Sequence, residues 1–141
     1  LLVLHGPNLN LLGEREPSIY GSLTLAQLNG KLKMHAKKRR ATLKIHQSNH
    51  EGELIDLIHA HRLSGDGLVF NPGAFTHYSY ALRDAVAASN LHTIEVHLSD
   101  IMKREPFRRV SVIAPVCYGK IYGKGLNSYL EAIDRLLDRK K

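Results

Sequence analysis

Leu1-Leu2-Val3-Leu4-His5-Gly6-Pro7-Asn8 opens the chain. A short apolar run closed by a Gly-Pro pair reads as a strand buried on both faces, the kind that a sheet covered by helices on each side requires. Leu68-Val69-Phe70, stopped by Asn71-Pro72-Gly73, repeats the pattern, and Thr93 to Leu98 forms a further strand. Thr42 to His46 alternates as a strand, and Val110 to Ala114 is expected to be the fifth. Helical spacing fills the intervals. Thr24 with Gln27 three residues on is a capping box, and it opens a helix carrying Leu25, Leu28, Leu32 and Ala36 on one face. Ser48 to Gly52 leads into a helix with Leu54, Ile55, Ile58 and Leu63; Tyr78 to Ala88 and Leu126 to Leu137 follow. Asn8 to Gly21, with Gly13, Pro17 and Gly21, is a long loop, and Asp100 to Arg109 is a polar connection.

Strand–helix alternation of this kind predicts an α/β fold, and short right-handed crossovers favour a flavodoxin-like three-layer sandwich. The expectation is a five-stranded parallel sheet in the order 2-1-3-4-5. One domain is expected over residues 1–141, with a mobile loop over residues 11–22. In such a sheet ligands bind beyond the carboxyl ends of the strands.

Composition limits the function classes. At 141 residues with 43% hydrophobic residues, the chain has enough apolar side chains for a core and is not a disordered segment. One cysteine, Cys117, excludes a disulfide framework and a Cys-rich zinc site, and a reducing cytoplasm is the expected compartment. No apolar run approaches the ~18 residues of a membrane span. The opening LLVLH carries no signal-peptide pattern, and the missing Met is read as the loss of a few leading residues. A formal charge of +7, from 20 Lys+Arg against 13 Asp+Glu, leaves two readings: a nucleic-acid footprint, or a field that favours small anions. The run Lys37-Lys38-Arg39-Arg40 sits where a solvated last helical turn complements the helix dipole. That run and the closing Arg139-Lys140-Lys141 lack interleaved aromatics, so no nucleic-acid partner is expected.

The strand ends share one chemistry. GPNLN follows the first strand, QSNHEG the second, NPGAFTH the third, and EVHLS closes the fourth. Asn8, Asn10, Asn49, His50, Asn71, His77, Glu95, His97 and Ser99 thus gather at one edge. Each alone is an ordinary turn former. Together, amides, hydroxyls and imidazoles suit a ligand rich in hydroxyl groups. Asn8 and Asn71 stand where a phosphorelay receiver needs acids. Gly119 to Gly125 is one residue short of a P-loop and lacks its Ser or Thr, and Ser128 breaks the dinucleotide fingerprint. His46 and His50 straddle a strand end, so no metal site is expected.

Within the first loop, Arg15 and Tyr20 lie five apart between Gly13 and Gly21. A surface loop with an anchoring aromatic is one reading. The other is a lid carrying a catalytic pair, since a nearby guanidinium favours a phenolate and a phenolate is a strong base. His97, with Glu95 two residues earlier on the same strand face, is the matching acid.

LHGPNLNLLGEREPSIYG, QSNHEGELID, NPGAFTHYSYALRDA and EVHLSD–REPFR together resemble type II 3-dehydroquinate dehydratase, in the right order from Leu1 to Leu130. The resemblance implies reversible anti elimination of water from 3-dehydroquinate to 3-dehydroshikimate through an enolate, the third step of the shikimate route to aromatic amino acids. It implies neither metal, Schiff base nor cofactor. Residue by residue, Tyr20 matches the proton acceptor, Arg15 the transition-state stabiliser, His97 the proton donor and Glu95 its orienting partner. Asn8 matches the residue that places a water on the enolate oxygen. Asn71, His77 and Arg108 match the groups that hold ring hydroxyls. Leu98 and Ser99 match the carboxylate cradle, and Arg104 a second lid or interface arginine. Asp84 matches an aspartate reaching into a neighbouring subunit, and a dodecamer built from trimers is implied. The chain departs from the usual pattern at Asp100, Met102, Pro106, Lys124 and Ser128, none of them a catalytic position.

Overall fold

The computed structural model describes residues 1–63 and 65–139. Lys140 and Lys141, part of the terminal basic run, lie outside the described residues. Five strands, β1 (Leu2–His5), β2 (Lys44–Gln47), β3 (Leu68–Asn71), β4 (Thr93–His97) and β5 (Gly119–Tyr122), form one sheet in the order β2-β1-β3-β4-β5. Every pair is parallel. A four-residue helix α1 (Pro17–Tyr20) precedes the longer helices α2 (Leu25–Lys38), α3 (Glu51–His61), α4 (Tyr80–Ser89) and α5 (Leu126–Asp138).

Strand alternation divides the core into two layers. Val3, Val69, Ile94, Val96 and Ile121 point to one side and pack with Leu28 and Leu32 of α2 and with Tyr129, Ile133 and Leu136 of α5. Leu2, Leu4, Leu68 and Phe70 point to the other and pack with Leu54 and Ile58 of α3 and Leu82 and Val86 of α4. Strands β1, β3 and β4 are buried along their whole length, as the apolar runs of β1 and β3 required.

Local signals account for the helix boundaries. Thr24 and Gln27 form the reciprocal capping box: the Gln27 N–H donates to Thr24 Oγ1 and the Thr24 N–H to Gln27 Oε1. Helix α4 starts later than the sequence suggested. Residues Gly73–His77 form a 3-10 turn, and the Ser79 hydroxyl then caps the helix by accepting from the Leu82 N–H. The basic run at the end of α2 is not wholly a solvated face. Arg39 pairs with Asp134 and Asp138 of α5, and His35 joins Asp134 at 2.8 Å, clasping the two helices of one layer.

The fifth strand is a correction. Val110 to Ala114 is not a strand; the edge strand is Gly119–Tyr122. The Ser111 Oγ accepts the N–H groups of Ile113 and Ala114, which bends the chain back before it can extend. Pro115 then removes a donor. The segment still buries Ile113 completely, in the α3/α4 layer, which is what made it look like a strand. Gly119–Tyr122 buries only Ile121 well, so its hydrophobic signal is slight.

The connections cross closely where the site lies. A Cβ on Gly6 would sit 2.6 Å from the Pro72 carbonyl oxygen, so the turns after β1 and β3 touch only because residue 6 is glycine.

Because Ile113 anchors the connection to β5 from a fully buried position, Ile113→Ala is expected to cost roughly 2–5 kcal/mol. Urea unfolding measures it; a loss below ~1 kcal/mol would place the side chain outside the core.

Candidate active site

The carboxyl ends of β1, β3 and β4 and the loop after β1 enclose one cleft. Asn8 and Asn71 line it from the ends of the first and third strands, His97, Leu98 and Ser99 from the fourth. Arg15 and Tyr20 enter from the loop, His77 from the turn after β3, and Arg104 and Arg108 from the polar connection. Leu9, Leu12 and Ile101 supply apolar wall. The structure therefore brings together most of the residues singled out in the sequence. Asn10, Asn49 and His50 do not line it, and two of the residues matched to the family site also stand elsewhere. Glu95 is fully buried behind His97, and Asp84 lies on the exposed face of α4, its side chain 80% accessible.

Tyr20 sits between two guanidinium groups. Arg15 Nη2 donates to its hydroxyl at 3.2 Å and Arg104 Nη1 at 2.7 Å. Both cations also stand near the ring, 4.7 Å and 5.4 Å from its centroid. Sequence spacing pointed to Arg15; Arg104, 84 residues away, completes the pair. The chain around Tyr20 is held in unusual backbone. Glu16 and Gly21, which bracket α1, have φ of 39° and 81°. That bracket turns a four-residue helix so that Tyr20, at its end, faces the cleft.

Glu95 and His97 share one face of β4. His97 Nε2 donates to Glu95 Oε1 at 2.6 Å, leaving Nδ1 as the ring nitrogen not held by the carboxylate. Thr76 Oγ1 donates to Glu95 Oε1 at 2.5 Å, and Ser111 Oγ donates to Oε2 at 2.8 Å. Burial alone pushes a carboxyl up, but the His97 imidazole and the two hydroxyls hold Glu95 below its ordinary value. Glu95 is thus a carboxylate, and it fixes the ring of His97. Sequence reasoning missed Thr76 and Ser111. Thr76 lies inside the NPGAFTH motif, and Ser111 was hidden by the strand assigned to residues 110–114.

Other groups are fixed from behind. His77 Nδ1 donates to the Val110 carbonyl at 2.7 Å, and burial holds this histidine below its usual value. Asn71 donates from Nδ2 to the Tyr129 hydroxyl and accepts the Gly73 N–H on Oδ1. Asn8 takes a left-handed backbone, φ 67°, that asparagine tolerates, and its N–H donates to Asn49 Oδ1. Arg108 is braced by Glu105 at 2.6 Å. His46 and His50 hold no metal-like cluster, and no group of three or more His, Cys, Asp or Glu that could bind an ion occurs among the described residues. No helix is long and apolar enough to cross a membrane among those residues.

The cleft combines a phenol flanked by two cations, an imidazole fixed by a carboxylate, and several neutral donors. A base and an acid over one small cavity suit proton abstraction paired with protonation of a leaving group.

The family described as dehydroquinase class II matches residues 1–137. The 3-dehydroquinate dehydratase of Pelotomaculum thermopropionicum is 59% identical over 133 residues, covering 94% of this chain and 92% of that protein. That of Bacillus pumilus is 57% identical, covering 96% and 92%. The crystal structure of a type II dehydroquinase from Butyrivibrio crossotus superposes with a TM-score of 0.94 at 50% identity, covering 96% of this chain and 94% of that one.

Because the Thr76 hydroxyl helps hold Glu95 ionised, Thr76→Val should raise the midpoint of its carboxyl titration, followed by 13C NMR. The sign for stability follows. A carboxyl depressed in the folded state contributes stability above its unfolded pKa and loses it as pH falls through the folded value, so the variant keeps less of that term. An unmoved Glu95 midpoint would remove Thr76 from the account.

Proposed function

The chain belongs to the class II dehydroquinases, and on that premise we propose how its cleft eliminates water from 3-dehydroquinate to give 3-dehydroshikimate. The observation that carries the proposal is Tyr20 hydrogen-bonded at once by Arg15 and Arg104.

Tyr20, as phenolate, takes the proton from the ring carbon that lies between the ketone and the hydroxyl-bearing carbon. The electron pair of the broken C–H bond passes to the ketone oxygen, forming an enolate. The enolate then re-forms the ketone, a carbon–carbon double bond replaces the C–O bond, and the hydroxyl leaves as water with a proton from His97. The balance is one water lost and no net change of redox state. Arg15 and Arg104 hold the Tyr20 oxygen in place with two guanidinium hydrogen bonds. Asn8 holds a water against the enolate oxygen. Glu95 keeps His97 in the orientation in which it gives up its proton.

We assign the remaining cleft residues to binding. Asn71, His77 and Arg108 take the ring hydroxyls, and the Leu98 and Ser99 N–H groups with the Ser99 hydroxyl take the carboxylate. The loop over residues 11–22 acts as a lid that excludes water while charge develops. The elimination runs with anti geometry on side chains alone. Among the described residues the guanidinium, imidazole and amide lining contains no lysine amine, which supports a route without an imine. We assign the enzyme to the cytoplasm and to a homo-oligomer, a dodecamer of trimers in which Asp84 serves the neighbour's cleft. Exposed Tyr80, one turn before Asp84 on α4, supports a self-associating surface there.

The purified protein is expected to generate enone absorbance from 3-dehydroquinate; no absorbance change would end the proposal. Tyr20→Phe should lose about 10²–10⁴ of kcat while still binding product. Arg15→Lys should lose about 10², because a point charge on a flexible stem does not reproduce the guanidinium. Full activity in Tyr20→Phe would transfer the base role to another group. Light scattering checks the assembly, with a mass twelve times that of the chain expected.

A further inference from the structure

Behind the cleft runs a chain of buried polar groups to which the elimination assigns no part. Tyr129 of α5 is fully buried, and so is His5 at the end of β1. Tyr129 Oη lies 2.9 Å from Asn71 Nδ2 and 3.0 Å from His5 Nδ1. His5 Nε2 lies 2.8 Å from Asn29 Oδ1 on α2. The path crosses the α2/α5 layer from the cleft to a half-exposed amide on the far side.

A backbone group fixes the direction of every proton along it. The Gly73 N–H can only donate, and it donates to Asn71 Oδ1 at 3.1 Å. That turns Asn71 Nδ2 towards Tyr129, so the phenol oxygen must accept. Its own O–H then has one partner left, the His5 Nδ1 lone pair. With Nδ1 accepting, neutral His5 carries its proton on Nε2, and Asn29 must accept through Oδ1. Every bond in the chain satisfies this single polarity. Burial lowers the His5 pKa to about 4 and pushes the Tyr129 phenol up, so neither group changes charge at neutral pH. Tyr129 and Asn29 are the groups that face His5 from the packed helices, and its register neighbours Gln47 and Asn71 are uncharged.

We propose that His5 and Tyr129 are positioning residues that, with the Gly73 N–H, lock the Asn71 amide with one N–H directed to Tyr129 and the other presented to the substrate. Asn71 lines the cleft, and its second Nδ2 hydrogen has no partner among the described residues. A locked donor selects an acceptor oxygen on the ligand. The Gly73 N–H sets which end of the amide faces inward, and the Tyr129 oxygen is the acceptor that holds its inner N–H there. The proposal rests on the cleft being the substrate site, and it adds how one recognition group keeps its orientation.

Tyr129→Phe removes only the hydroxyl. It should raise KM for 3-dehydroquinate about tenfold, the worth of one well-made hydrogen bond, with kcat nearly unchanged. Asn29→Asp sets a carboxylate against His5 Nε2 and raises its affinity for a second proton. A doubly protonated His5 donates from Nδ1, reverses the Tyr129 hydroxyl and turns it against the Asn71 N–H. KM of Asn29→Asp should therefore climb as pH falls below neutral, and Tyr129→Phe in the same chain should abolish that climb. A merely structural role predicts no pH dependence. Nitrogen-15 NMR of the unmutated protein decides the polarity without any activity: the proton is expected on His5 Nε2 with Nδ1 bare. A proton on Nδ1, an unchanged KM in Tyr129→Phe, or a pH-independent KM in Asn29→Asp overturns the proposal. If the unmutated enzyme forms no enone, the reading of the cleft fails, and the tautomer measurement still decides the relay.

Discussion

A carboxylate with no exposed surface sits in the middle strand-end cluster of this sheet, and the surrounding connections are arranged to satisfy it. Glu95 is held by His97 on its own strand, by Thr76 from the turn after β3 and by Ser111 from the segment before β5. An unpaired buried charge would cost several kcal/mol. Three elements far apart in sequence must therefore converge there. Their convergence closes one wall of the cleft, fixes the His97 ring and explains why residues 110–114 turn back instead of extending. A structural requirement and the proposed catalytic one are met by the same three hydrogen bonds.

The opposite wall follows different physics. Tyr20 is only half-buried, and it is carried by a four-residue helix with no fully buried residue. Its placement depends on two long cationic side chains from separate loops. Such an arrangement is easily opened and rebuilt, as a lid must be, whereas the Glu95 side is set in the core. The proposed acid thus sits on the rigid core, and the proposed base depends on the loop that carries it. The His5–Tyr129–Asn71 chain belongs to the rigid half: it carries the same alternation of β1 and β3 that packs Val3 and Val69 into the core.

Much of this was legible in the sequence because buried parallel strands leave apolar runs, and β1 and β3 are such runs. Their ends, with glycine, proline and asparagine, marked the cleft. Arg15 with Tyr20, and Glu95 with His97, could be paired from spacing alone because each pair lies on one local element. Arg104 reached its place from the family resemblance, since no local signal links it to Tyr20. Edge strand β5 was misplaced because an edge strand buries little, while Ile113 gives a loop the look of a strand. Thr76, Ser111 and Tyr129 escaped because their functions come from tertiary partners. A hydroxyl in a motif carries no mark of the carboxylate it will meet. Ser128, where glycine is usual, is fully buried and accepts the Lys124 N–H, so that departure is accommodated by a new hydrogen bond.

The central claim is that one cleft sets Tyr20 against the acidic carbon and His97 against the leaving hydroxyl. A crystal structure with 3-dehydroshikimate bound tests it most directly. The account predicts the ring in the cleft, with the carbon next to the ketone about 3–3.5 Å from the Tyr20 hydroxyl, the reach needed for proton transfer. His97 Nδ1 should face the carbon that had borne the hydroxyl. A product bound outside this cleft, or one with its ring turned so that Tyr20 faces the carboxylate, would contradict it.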